Sequence, residues 1–190
     1  MVRSKYLALL LLLPMVACAT RPPSPRVLYR AARKDMAKKE HTAGFTEDVK
    51  ERMQVRYDKA VALYESSLLT TSDDLLFAAA LLATSDRTPD LELAEVLGNE
   101  SAAMGEKRAL PVVAEIVDKL LLKRGMAQRY GTQYAYQPGL GRWRLYSVDP
   151  STTDEDRALM GLPSLKTLQE RVEPLNDSHL TKLLVNRTTE

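Results

Sequence analysis

The sequence predicts a mainly α fold: a compact helical domain with one β-hairpin near residues 128–148, placed after an N-terminal signal. Three observations point there. Apolar residues recur every three or four positions between Phe45 and Arg124, which places them on single helix faces. Pro89, Gly105 and Gly125 fall where helices start and stop. Beyond Gly125 the pattern changes, and five of the 11 aromatic residues lie within 17 positions around Pro138-Gly-Leu-Gly141. With 190 residues, 45% hydrophobic and 27% charged, the chain suits one globular domain rather than two large ones, a collagen-like rod or a disordered chain.

Residues 1–17 read as a secretory signal. Met-Val-Arg-Ser-Lys supplies a basic start, and the apolar stretch from Tyr6 to Ala17 is 12 residues, too short for the roughly 20 that a spanning helix needs. Five consecutive leucines and Pro14 argue against a helix of the folded domain. Residues 18–25 form a Pro-rich tether, and 26–190 form the domain. Residues 26–40, rich in Arg, Lys and Ala, are expected as a solvated helix whose basic face could alternatively touch anionic headgroups.

The strongest periodicity, Val49, Met53, Tyr57, Ala60, Tyr64 and Leu68, predicts an amphipathic helix over 45–69. Ser72-Asp73-Asp74 predicts a cap and acidic first turn for a helix whose run Leu75 to Leu82 has no polar position, which places it at the centre of the core. Thr88-Pro89 predicts a cap and first helical residue, with Gly105 as the stop. The next helix is expected from about Glu106 to Arg124, with Val112, Val113, Ile116, Val117, Leu120 and Leu121 inward and Pro111 in its first turn. Gln128 to Tyr136 and Arg142 to Val148 read as the hairpin strands. Alternation then puts Gln128, Tyr130, Thr132, Tyr134 and Tyr136 on one side, with Gly131 allowing a bulge or close approach. A short helix opens at Thr153, and a last one near 164–173 is expected to stop at Pro174.

Charge removes one class of function. Arg3 and Lys5 account for the net +2, since the chain after residue 17 carries 25 basic and 25 acidic groups, so the excess of Lys and Arg expected of a nucleic-acid binder is missing. No cofactor is expected. A lone Cys and two His cannot build a zinc cluster or an internal disulfide. His41 and His179 read as solvent-exposed, and no Gly-x-Ser-x-Gly elbow is present. Gly139-Leu-Gly141 reads as a turn rather than a nucleotide loop. Glu115 and Asp118, one helical turn apart, could form a carboxylate pair, although Lys119 stands in the favourable position for an ion pair with Glu115. Asp154, Glu155 and Asp156 suit a helix dipole better than a metal, and Asn186-Arg-Thr188 reads as incidental. The least bland feature is the hairpin. Gln128, Tyr130, Thr132, Gln133, Arg142, Trp143 and Arg144 are the candidate binding residues, because aromatic and amide groups beside Arg suit a small polar ligand or a protein contact, against a purely structural role in cross-strand pairing.

Two resemblances add to this. Met15-Val16-Ala17-Cys18 resembles a bacterial lipobox, with Met in place of the usual Leu; the resemblance implies cleavage before Cys18 and lipidation of its sulfur and new amino group. Ala17-Cys18-Ala19 also fits ordinary signal peptidase, which would release a soluble protein. Ala19 after the Cys implies the outer membrane by analogy with enterobacterial sorting. Separately, Gln128-Arg-Tyr-Gly-Thr-Gln133 after Gly125, with Met160-Gly-Leu-Pro-Ser-Leu165, resembles a bacterial family of unknown function that carries Gly-Lys-Pro-Gln-x-Tyr-Gly-Thr-Gln and Gly-Leu/Val-Pro-Pro-Leu segments. The similarity covers about 73–170. Met126-Ala127 replaces Lys-Pro, Ser164 replaces the second Pro, and Ala83-Thr84-Ser85 stands where relatives often have Gln-His and a small residue. The expectation is a lipid-anchored envelope protein that binds or scaffolds an envelope partner, held on the periplasmic face of the outer membrane through Cys18. The alternatives are an exported hydrolase with its site near Tyr130–Gln133 and a soluble exported form.

Overall fold

A computed structural model describes residues 22–39 and 46–177. The signal, Cys18, His41, His179, the tail around Leu180, Leu183 and Leu184, and Asn186–Thr188 lie outside the described residues. Seven helices and one two-stranded antiparallel sheet follow in order: α1 Pro25–Lys39, α2 Glu47–Glu65, α3 Ser72–Leu82, α4 Thr88–Ala103, α5 Ala109–Lys123, β1 Tyr134–Gln137, β2 Arg142–Leu145, α6 Asp154–Leu159 and α7 Leu165–Asp177. The expected mainly helical domain with one hairpin is what forms.

Helix α3 occupies the centre, touching α1, α2, α4 and α5. Its Leu75, Leu76, Ala78, Ala79, Leu81 and Leu82 are all buried. Each buried Leu contributes roughly 1.5–3 kcal/mol relative to exposure. The alanines let neighbouring backbones approach, and Gly98 of α4 takes this furthest, since a Cβ there would stand 2.7 Å from Val113 Cγ2 of α5. Helix α1 is less solvated than its composition predicts. Leu28 and Ala32 join the core and Tyr29 packs on Phe77 of α3, because even a Lys/Arg-rich helix keeps one apolar stripe at i, i+4.

Helix ends depart from the sequence reading by local hydrogen-bond chemistry. Helix α2 ends at Glu65, where Leu68 N–H donates to Leu63 O and Ser67 N–H to Tyr64 O, with Ser67 at φ +54° in the place usually taken by Gly. Leu68 is therefore outside the helix and exposed, Tyr64 turns outward, and Leu63 takes the inward position. The same two bonds close α4 at Gly105 and α5 at Gly125, as expected for those glycines. Thr71 rather than Ser72 caps α3, accepting from Asp74 N–H at 3.1 Å. Arg87, not Thr88, precedes α4, and Pro89 is its second residue. Helix α5 starts at Ala109, three residues later than expected, because Glu106 Oε1 accepts from Arg108 N–H and the chain turns there. Pro111 does lie in its first turn. Helix α7 runs through Pro174 to Asp177, since its last turn is held against β2.

The largest correction concerns 128–133. That segment is no strand: β1 begins only at Tyr134, and Gln128 makes an isolated parallel bridge with Val148. Gly131 at φ +87° turns the chain, so the expected alternation fails and Tyr130 is buried while Tyr134 is exposed. Within the true hairpin, Tyr136 pairs opposite Trp143 and Tyr134 opposite Leu145, and both tyrosines meet the Trp143 ring edge-on.

Candidate functional site

The seven candidate residues divide between a loop knotted onto α5 and a groove beside β2. The knot is organised by Asp118, which has no exposed surface. Its Oδ1 accepts from Arg129 N–H at 2.7 Å and Tyr130 N–H at 2.8 Å; its Oδ2 accepts from the Thr132 N–H and hydroxyl, each at 2.8 Å. Four bonds fill a carboxylate's acceptor capacity. Asp118 therefore does not pair with Glu115, whose partner is Lys119 at 2.9 Å.

Gln128 closes the loop from within. Its carboxamide oxygen accepts from Gln133 N–H at 2.8 Å, and its amide donates to Gln133 O and Tyr146 O, each at 3.0 Å. Gln133 donates its own amide to Thr132 Oγ1. Arg157 of α6, 2% exposed, holds the outer side: Nε donates to Tyr130 O at 3.0 Å, and Nη1 to Thr152 O and Asp154 Oδ1. Around Gly131 a Cβ would stand 3.2 Å from Leu165 Cδ1, so α7 closes over the turn. The segment is solid, with the side chains of Gln128, Thr132 and Gln133 bonded inside the protein.

The groove is different. It holds about 640 Å³ between β2 and α7, with Leu145, Val148, Leu165 and Val172 among its apolar lining and Arg142, Arg144, Gln169 and Glu173 among its polar lining. Asn176 at one end mimics a strand: Trp143 N–H donates to its Oδ1 at 2.6 Å and its Nδ2 donates to Trp143 O at 3.2 Å. At the other end Gln128 donates its N–H to Ser147 O, and its carbonyl accepts from Asp149 N–H. Because antiparallel pairs alternate, Trp143 facing Asn176 means that Leu145 also turns its N–H and C=O away from β1, toward the groove. Arg142 is held by Glu173 at 2.8 Å, whereas Arg144 is exposed and makes no ion pair among the described residues.

A second polar cluster, unforeseen in the sequence, sits where α3 meets α4. Asp90 accepts from Ser85 Oγ at 2.5 Å and from both arms of Arg87. Burial pushes the Asp90 pKa up, but the bonds from Arg87 and Ser85 outweigh it and the carboxyl lies below its ordinary 3.8. Tyr57 hydroxyl meets Thr84, and Lys119 and Lys123 donate to the carbonyls of Ala83 and Asp86. Ser85 is 3% exposed, so this cluster caps helices and offers no accessible nucleophile.

Of the residues that organise the site, Asp118 is the one the sequence could have revealed. It stands four positions after Ala114, on the buried stripe of α5, and a carboxylate there needs donors from elsewhere. Arg157 and Asn176 carry no comparable signal. Among the described residues no helix is long and apolar enough to cross a membrane, and no three His, Cys, Asp or Glu side chains are grouped to hold a metal ion. No protein-family profile, curated protein or solved structure matches the chain.

Proposed function

We propose that this is a lipid-anchored envelope protein, attached through Cys18 and working as a binding or scaffold module on the periplasmic face of the outer membrane. The kinship with the uncharacterised Tyr-Gly-Thr-Gln family belongs to the same proposal. The observation that supports binding over hydrolysis is the contrast between knot and groove. A general base needs a free lone pair within reach of a substrate proton, and every acceptor position of Asp118 is engaged by Arg129–Thr132. The β2–α7 groove instead offers an apolar lining, an Arg144 with no ion pair among the described residues and outward main-chain groups at Leu145, which suit a short extended segment of an envelope partner carrying an acidic side chain.

Membrane fractionation and intact mass of the wild type beside Cys18→Ser test the anchor. The wild type is expected in the membrane with an acylated N-terminal Cys18, and the variant in the soluble fraction. A soluble wild type starting at Thr20 refutes it and supports soluble export. Crosslinking from position 169, where exposed Gln169 lines the groove, tests it in detergent extracts: a specific adduct lost in Arg144→Glu is expected, and an adduct unaffected by charge reversal counts against it.

A further inference from the structure

The outward face of α1 carries charges of one sign only. Arg30, Arg33 and Lys34 are exposed, lie within one arc of the helix, and make no ion pair or hydrogen bond among the described residues. Arg26 shares the face but is already held by Asp73 at 2.5 Å and lies over the Phe77 ring. Val27, 54% exposed, sits among them. The one acid of α1, Asp35, points the other way: it is 7% exposed and gripped by Arg52 and Arg56 of α2, whose hydrogen bonds hold its carboxyl below the usual range. Nothing on α1 therefore offsets the outward cations. Like charges three and four positions apart on a helix repel one another, so the arrangement gains from an anionic surface.

Position in the chain supplies the second argument. Six residues separate Cys18 from Pro25, the first residue of α1, a span of at most roughly 25 Å even when fully extended. A chain anchored at Cys18 keeps the start of α1 within that distance of the anchor, which makes docking an intramolecular event. We infer that the Arg30–Arg33–Lys34 face of α1, with Val27 at its edge, docks on anionic phospholipid headgroups of the leaflet that holds the anchor. The inference rests on the anchor reading above and adds the orientation of the domain: α1 down, the β2–α7 groove left for a partner.

The test uses the full acylated chain with Val27→Cys. Acylation consumes the Cys18 thiol, so position 27 then carries the only reactive thiol for an environment-sensitive fluorophore. Reconstituted into vesicles of phosphatidylglycerol and phosphatidylcholine containing a headgroup quencher, the label should be quenched. In phosphatidylcholine alone it should not be. Each charge contributes roughly a fivefold change in the docked-to-undocked ratio, so Arg30→Glu, Arg33→Glu and Lys34→Glu combined should abolish the difference, as should high salt acting on the unmutated face. Equal quenching in both vesicle types, or quenching that survives charge reversal and salt, overturns the inference; shielding from solvent in both without quenching points to a protein partner and overturns it too. Intact mass separates the two readings. If Cys18 carries no acyl group the anchor proposal fails, and co-sedimentation of the soluble chain with phosphatidylglycerol vesicles then decides the face alone, binding supporting it and absence of binding refuting it.

Discussion

Thr132 donates twice to one oxygen of Asp118, through its backbone N–H and through its hydroxyl, each at 2.8 Å. The two contacts differ in what their loss leaves behind. Thr132→Val removes the hydroxyl bond alone and should cost about 1 kcal/mol. Asp118→Ala leaves three N–H groups without an acceptor, at about 1–3 kcal/mol each, and should cost at least 3 kcal/mol in urea denaturation. The amides of Arg129, Tyr130 and Thr132 should also exchange slowly for loop residues; fast exchange in the wild type would count against the knot.

Glycine at 131 is required for two separate reasons, whereas glycine at 125 is required for one. Both have positive φ, but a Cβ at 131 meets Leu165 at 3.2 Å and one at 125 meets nothing within 4 Å. Gly125→Ala should cost about 1 kcal/mol from backbone strain alone. Gly131→Ala should cost clearly more, and equal thermal shifts for the two variants would contradict this account.

Acid should weaken the fold through Asp35 and Asp90. Both carboxyls lie below their ordinary 3.8, Asp35 through hydrogen bonds from Arg52 and then Arg56, Asp90 because the bonds from Arg87 and Ser85 overcome its burial. Each binds a proton less readily folded than unfolded. Their stabilisation is therefore complete well above 3.8 and drains away as the pH falls through that value toward the lower folded pKa. Urea midpoints measured from about pH 6 down to 3 should fall more steeply in the wild type than in Asp35→Asn with Asp90→Asn.

Trp143 is the single tryptophan, so its fluorescence reports on one place. Asn176→Leu removes the amide that pairs with the Trp143 main chain and should free the hairpin from α7. Emission should shift to longer wavelength and anisotropy should fall, with helical circular dichroism nearly unchanged. Coincident loss of both signals would mean that the hairpin and the helical core unfold as one unit.

The long helices are legible in the sequence because their periodicity and stop signals are local. Val49, Met53 and Tyr57 lie a turn apart, and Gly105 and Gly125 mark their own positions. The segment 128–133 is not legible for the opposite reason. Alternation of Gln128, Tyr130 and Thr132 imitates a strand, while the group that decides its path, Asp118, lies 11 to 14 residues upstream on another element. Thr132 and Gln133 look like chemistry in the sequence because polar side chains in an aromatic run usually face something; here the Thr132 hydroxyl faces buried Asp118 and the Gln133 amide faces Thr132. Arg144 is exposed on β2, but the groove beside it depends on α7 continuing past Pro174, which no local rule suggests.

Asp118, Gln128 and Arg157 direct nearly all their contacts to main-chain atoms: amides at 129, 130, 132 and 133, and carbonyls at 130, 133, 146 and 152. A grip on the peptide backbone is indifferent to which side chains the gripped residues carry. Arg129, exposed between two clamped amides, is free to drift in evolution, and the same holds for Tyr146 wherever its carbonyl stays in place. Distant descendants of this fold would then share little besides one buried acid, one buried amide, one buried guanidinium and a glycine at the turn, at fixed intervals along the chain.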